Sequence, residues 1–109
     1  MKKKIYISGI IANSNTDERR RAFEMAAAYW RLKGYDVFNP FENGLSQEAD
    51  RCEHMRVDIR ALCDCNIIYM LRGWEHSKGA KLELDVASSC GIEVWFETNN
   101  REFDEQKED

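Results

Sequence analysis

The sequence predicts a small doubly wound α/β domain, with a parallel sheet covered by helices on both sides, and three observations predict it. Short apolar runs alternate with stretches of helical periodicity, so each strand is followed by a crossover segment long enough for a helix. The strand runs are continuously apolar rather than alternating, as expected when both faces are buried. The length of 109 residues allows one core and leaves little for accessory modules.

Lys3 to Gly9 is the first such run and reads as the central strand, ended by glycine. After the polar stretch Asn13-Ser14-Asn15-Thr16, the acids Asp17 and Glu18 suit a helix N-terminus. Phe23, Ala26, Ala27 and Trp30 keep one apolar face until Gly34, a C-terminal stop. Tyr35 to Phe38 forms the second strand, closed by Asn39-Pro40. Ser46 is placed to cap a second helix, with Glu48 and Asp50 in its first turn and Met55, Ile59 and Leu62 as its apolar stripe. Asn66 to Leu71 is the third strand. Ser77 to Cys90 follows as a helix on Ala80, Leu84 and Ala87, with Gly91 as its stop, and Ile92 to Phe96 is the fourth strand. Residues 1–96 thus form the domain and 97–109 an acidic tail.

Charge and composition exclude several classes. The net charge of −4 is concentrated in the tail, where six acids face two bases between Glu97 and Asp109, so the body is neutral. A neutral body lacks the basic footprint that phosphate backbones require, and a nucleic-acid polymer is not the expected partner. Apolar runs such as Asn66 to Leu71 are far short of the ~20 residues of a membrane helix, and no signal-type segment follows Met1-Lys2-Lys3-Lys4. The expectation is a cytoplasmic protein, without a membrane partner, whose Cys52, Cys63, Cys65 and Cys90 are reduced.

In a doubly wound sheet ligands bind outside the carboxyl ends of the strands, where strand order reverses. Three loops converge there: the one after Gly9, the one at Asn39-Pro40, and Arg72 to Lys78. Glu83 lies between Ala80 and Ala87 on the helix face that meets the sheet, so it either snorkels to water, pairs with a lysine, or performs chemistry. Asp58 has the same peculiarity among Met55, Ile59 and Leu62. Two inward carboxylates flanking one strand can divide the roles of nucleophile and proton donor. Tyr6 shares a strand face with Ser8, and its phenol is either a packed aromatic or the partner of a carboxylate.

Ser77-Lys78-Gly79-Ala80 opens a helix at the mouth of this region, where free amides favour an anion, although Ser77 is equally a plain cap. Cys52, His54, Cys63 and Cys65 lack the paired spacing of a structural zinc site, and no metal is expected. His76 reads as a surface histidine or a proton shuttle.

Ile5-Tyr6-Ile7-Ser8-Gly9, Gly34-Tyr35-Asp36-Val37-Phe38-Asn39-Pro40 and Gly73-Trp74-Glu75-His76-Ser77-Lys78-Gly79-Ala80-Lys81-Leu82-Glu83 together resemble the nucleoside 2-deoxyribosyltransferase superfamily, and more narrowly a small bacterial and phage family of deoxyribosyltransferase-like domains. The resemblance spans residues 3 to 96. It implies a flavodoxin- or Rossmann-like sheet of order 2-1-3-4, with Glu83 as nucleophile at the anomeric carbon, Tyr6 as the phenol that positions it and Asp58 as the acid for the leaving base. Ser8, Gly9, Asn39, Pro40, Trp74, Ser77 and Gly79 are implied as substrate contacts, with Ser77 at the place of a 5′-phosphate. The implied partner is a nucleoside or nucleotide, with no cofactor, and the implied assembly is a homodimer whose subunits complete each other's sites. Ile10-Ile11-Ala12 departs from the family pattern after Gly9. That departure motivates the alternative of a non-catalytic nucleotide-binding or sensing module, and the acidic tail motivates an interaction module.

Overall fold

The computed structural model describes residues 2–11 and 16–98. Among them the chain runs β1 (Lys4–Ser8), α1 (Thr16–Leu32), β2 (Asp36–Phe38), α2 (Arg51–Cys63), β3 (Ile67–Met70), α3 (Lys78–Ser89) and β4 (Glu93–Phe96), with 3-10 turns at Pro40–Glu42 and Trp74–His76. The four strands form one sheet in the order β2-β1-β3-β4, the expected order. All neighbours are parallel, with Ile5 opposite Val37 and Ile67, and Tyr69 opposite Trp95.

Alternation along the strands sorts the interior into two layers. Ile5 and Ile7 of β1, with Ile67 and Tyr69 of β3, face α1 and bury Phe23 and Trp30. Trp30 is the hub of that layer, its ring lying 5.6, 5.3 and 5.1 Å from those of Tyr35, Tyr69 and Trp95. Tyr6, Ile68 and Met70 face the other way, against Leu62 of α2 and Ala80 and Ala87 of α3. Two alanines at these positions let α3 lie close to the sheet, which brings the side chain between them within reach of β1.

The helix ends follow local chemistry. α1 carries Asp17 and Glu18 in its first turn and Arg31 in its last, matching the helix dipole, and stops before Gly34 at φ +100°. Ser77 caps α3, its Oγ accepting from the Ala80 amide at 3.1 Å. The expected start of α2 at Ser46 is corrected. Ser46 Oγ accepts from the Glu48 amide at 3.1 Å and closes a turn, while the helix begins after Asp50, whose own amide donates to Glu53 Oε1 at 3.2 Å. An acid three residues after an N-cap outcompetes an isolated serine for the helix start. Glu48 and Asp50 therefore precede the helix. The tail beyond Thr98, like Ala12 to Asn15, lies outside the described residues.

Gly9 ends β1 where the chain must pass between two layers. A Cβ there would meet Leu71 Cβ at 3.1 Å and Phe23 Cζ at 3.4 Å. Leu71 Cβ is fixed to its backbone and gives little. Gly9→Ala is expected to cost about 1–2 kcal/mol, read as a lower midpoint in urea with an unchanged slope.

Candidate active site

β1 supplies two hydroxyls to the α2/α3 side of the sheet because Tyr6 and Ser8 are two residues apart. α3 supplies the carboxylate they meet. Tyr6 Oη donates to Glu83 Oε2 at 2.8 Å and Ser8 Oγ donates to Glu83 Oε1 at 2.6 Å. Glu83 is 6% exposed and the two hydroxyls are fully buried. The Tyr6 ring is itself held by Phe38 of β2, stacked at 5.4 Å with a 13° interplanar angle.

Burial pushes the Glu83 carboxyl up to about 7, against the two hydroxyl donors, which favour its ionised form; the Asp58 charge pushes it further up. The Tyr6 phenol is raised well above its usual value, first by burial and then by the charges of Glu83 and Asp58, so it stays a donor.

α2 presents the second carboxylate. Asp58, 5% exposed, accepts from Asn43 Nδ2 at 2.9 Å through Oδ1. Burial raises its pKa, while the Asn43 hydrogen bond and the charge that His54 carries only when protonated lower it. The Asp58 charge bears on both Glu83 and Tyr6, so the three share one electrostatic neighbourhood at the switch point between β1 and β3. The snorkelling and lysine-paired alternatives for Glu83 are thereby replaced by a buried carboxylate held by hydroxyls.

The remaining expected contacts ring the carboxyl ends of the strands. Asn39 is buried, and its Oδ1 accepts from the Phe41 amide at 3.0 Å, capping a 3-10 turn that begins at the buried Pro40. Its Nδ2 is buried with no protein partner among the described residues. Gly73, at φ +90°, turns the chain into Trp74–His76, which carries Trp74 partly buried and His76 exposed. Arg72, Gly73, Trp74, Glu75, Glu97 and Thr98 line a hollow of about 500 Å³. Gly79 faces α2, where a Cβ would meet Met55 Cε at 3.5 Å. Ile10 lies against Gly73, and Ile11 packs on the α1 layer.

Two participants were not singled out from the sequence. Asn43 sits in the turn before α2 and touches both Asp58 and His54. His54 was weighed only as part of a cysteine cluster, yet its place four residues before Asp58 on one helix was the available signal. Cys65 instead donates to the Ala61 carbonyl at 3.3 Å and is pushed up to about 11 by burial, while Cys52 and Cys63 are exposed.

A family model described as a domain of unknown function, DUF4406, matches residues 3–96. The chain belongs to that family. No curated protein matches the domain by sequence. Three of the solved structures similar in fold are enzymes from three organisms. The CMP N-glycosidase BcmB of Clostridium botulinum is 18% identical, with a TM-score of 0.62 over 86% of this chain and 67% of that one. A 2-deoxyribosyltransferase of Bacillus psychrosaccharolyticus is 21% identical, with a TM-score of 0.65 over 89% and 74%. A 2-deoxyribosyltransferase of Leishmania mexicana is 20% identical, with a TM-score of 0.67 over 86% and 63%. The domain thus has the deoxyribosyltransferase fold and spans about two thirds to three quarters of these chains.

The raised Glu83 pKa gives a stability signature with a definite sign. Between its unfolded value of 4.5 and its folded value of about 7, the folded chain holds a proton that the unfolded chain releases, so stability falls as pH rises through this window. The loss amounts to at most ~3 kcal/mol for a fully buried group. Glu83→Gln, whose amide can donate to hydroxyls free to turn, is expected to remove most of this slope. It is then more stable than the wild type at pH 8 and close to it at pH 5, as read by urea unfolding at both values.

Proposed function

We propose that the domain cleaves or transfers across the N-glycosidic bond of a deoxynucleoside or its 5′-monophosphate, with Glu83 as the nucleophile. The observation that carries this reading is the buried Glu83 carboxylate gripped at both oxygens by Tyr6 and Ser8, with a second buried carboxylate nearby. A desolvated carboxylate is costly to keep, and it repays that cost when positive charge develops at a sugar carbon beside it. The enzymes named by the similar folds, an N-glycosidase and two deoxyribosyltransferases, support the same bond as the target.

Ionised Glu83 attacks C1′ as the bond from C1′ to the base nitrogen breaks. Asp58 delivers a proton to the departing base, leaving a glycosyl ester on Glu83 and an ionised Asp58. Water, or a second base, then gives its proton to Asp58 and attacks C1′, expelling Glu83, so the sugar configuration is retained overall. Tyr6 and Ser8 keep the carboxylate aimed and share its charge in the expelled state. Ser77 and Gly79, at the α3 N-terminus, are positioned for a 5′-phosphate, and Asn39, Pro40, Gly9 and Trp74 for the sugar and base. A second copy of the chain completes the site in this reading, and no cofactor is invoked.

The reaction needs one proton on the Asp58–Glu83 pair, wherever it rests before substrate binds. The activity is therefore expected to be bell-shaped in pH, declining above about 7, where the pair loses its last proton. Free base released from a panel of deoxynucleosides and their monophosphates measures it. Glu83→Ala should lower release by at least ~10³-fold while the protein stays folded. Tyr6→Phe should lower it by roughly 10–100-fold and move the alkaline limb upward, because Glu83 loses a donor that favours its ionised form. A wild-type protein that is stabilised by nucleotides but releases no base would instead be a binding module, and the glycosyl reading would fall.

A further inference from the structure

We propose that Asn43 is a positioning residue for Asp58, and that neutral His54 locks Asn43 in the orientation this requires. The role of Asp58 as proton donor rests on the glycosyl chemistry above; the lock itself does not.

The Asn43 side chain is committed three times over. Its Nδ2 donates to Asp58 Oδ1 at 2.9 Å and approaches His54 Nδ1 at 3.1 Å, while its Oδ1 accepts from the Leu45 amide at 3.0 Å. On the far side of the imidazole, His54 Nε2 lies 3.0 Å from the Ser46 carbonyl oxygen. A carbonyl only accepts, so Nε2 carries the hydrogen, and in the neutral ring Nδ1 is left as an acceptor. That acceptor takes the second Nδ2 hydrogen of Asn43. Turning the amide over would set its oxygen against both the Asp58 carboxylate and the His54 lone pair, and its NH₂ against the Leu45 N–H. Three contacts would turn repulsive at once, so the orientation is uniquely selected.

The consequence falls on Asp58. Asn43 occupies Oδ1, so the transferable proton of Asp58 is directed to Oδ2. The hydrogen bond also favours the ionised form of Asp58 against burial, which raises its pKa. The groups that bear on Asp58 are Asn43 from the preceding turn, His54 from its own helix, and Glu83 of α3 and Tyr6 of β1 from across the interface. Neither the turn residue Asn43 nor His54 needs to touch substrate for this role.

The test combines a pH profile with two measurements that need no turnover. Asn43→Ala is expected to lower kcat by about tenfold. It should also raise the acidic limb of kcat/KM by about half a pH unit, because Asp58 then holds its proton more tightly. His54→Phe should move the limb in the same direction. His54→Asn, which keeps an acceptor near the Nδ1 position, should restore it. A structural defect alone would lower kcat with the limb in place, and an unmoved limb in folded Asn43→Ala overturns the proposal.

Independently of activity, ¹⁵N NMR of His54 should show the Nε2–H tautomer, set by the Ser46 carbonyl, in the wild type and in Asn43→Ala alike. The Asp58 side-chain carboxyl, followed by ¹³C NMR, should titrate higher in that variant. Should Asn43→Ala fail to fold, Asn43→Ser is measured in its place, and a wild-type Nδ1–H tautomer overturns the lock outright. If the wild-type protein releases no base but the NMR results hold, the glycosyl reading fails and the lock stands.

Discussion

The interaction on which the rest depends is the burial of one carboxylate between two hydroxyls of the central strand. An ionised Glu83 beside fully buried Tyr6 and Ser8 gives up the hydration it would have at the surface, and only two short hydrogen bonds offset that loss. Everything around it fixes the geometry of those bonds. Phe38 stacks on the Tyr6 ring, the small side chains of Ala80 and Ala87 set how closely α3 approaches, and the β1 to β3 pairing sets Ser8 opposite Met70. Rigid support of this kind keeps a charge-bearing group from relaxing outward to water.

The two faces of the sheet divide the work. The α1 face is built from large apolar and aromatic groups, with the Trp30 ring packed against those of Tyr29, Tyr35, Tyr69 and Trp95 and Phe23 completely covered. The opposite face is assembled from smaller residues and holds the buried polar groups Ser8, Asp58 and Glu83. A single α1 layer rich in dispersion contacts stabilises a sheet whose other side keeps a strained electrostatic arrangement. The surplus from one side offsets the deficit of the other, as expected for a domain with one core and a site inside it.

The fold was legible because each strand and helix carried its own signal. Continuous apolar runs marked both-face burial in β1 and β3, and Gly34, Ser77 and Gly91 marked helix ends that the backbone honours. The strand order came from resemblance rather than from any periodicity. The start of α2 was misread because Ser46 and Asp50 both look like caps in isolation, and only Glu53, three residues past Asp50, distinguishes them. Within the site, Tyr6, Asp58 and Glu83 stood out because a polar group on an apolar face is conspicuous. Ser8 was visible as a neighbour of Tyr6, but its bond to Glu83 depends on how closely α3 packs, which no local pattern encodes. Asn43 could not stand out, since a turn asparagine before a glycine is ordinary until the chain folds back and sets it against Asp58.

Two carboxylates in one low-dielectric neighbourhood need unequal surroundings, or they compete for a proton without direction. Here the asymmetry is built from different chemistry on each side. Glu83 is held by hydroxyls, which can both give and accept hydrogen bonds and therefore tolerate either protonation state. Asp58 is held by an amide whose orientation is fixed by Leu45 and His54, so that oxygen can only receive. Of two carboxylates buried to the same degree, Glu83 thus has the more adaptable partners and Asp58 the more rigid one. In the proposed reaction, a group that changes from charged to esterified and back benefits from partners that turn with it, whereas a group that only exchanges one proton benefits from a partner that keeps one oxygen occupied and the other aimed.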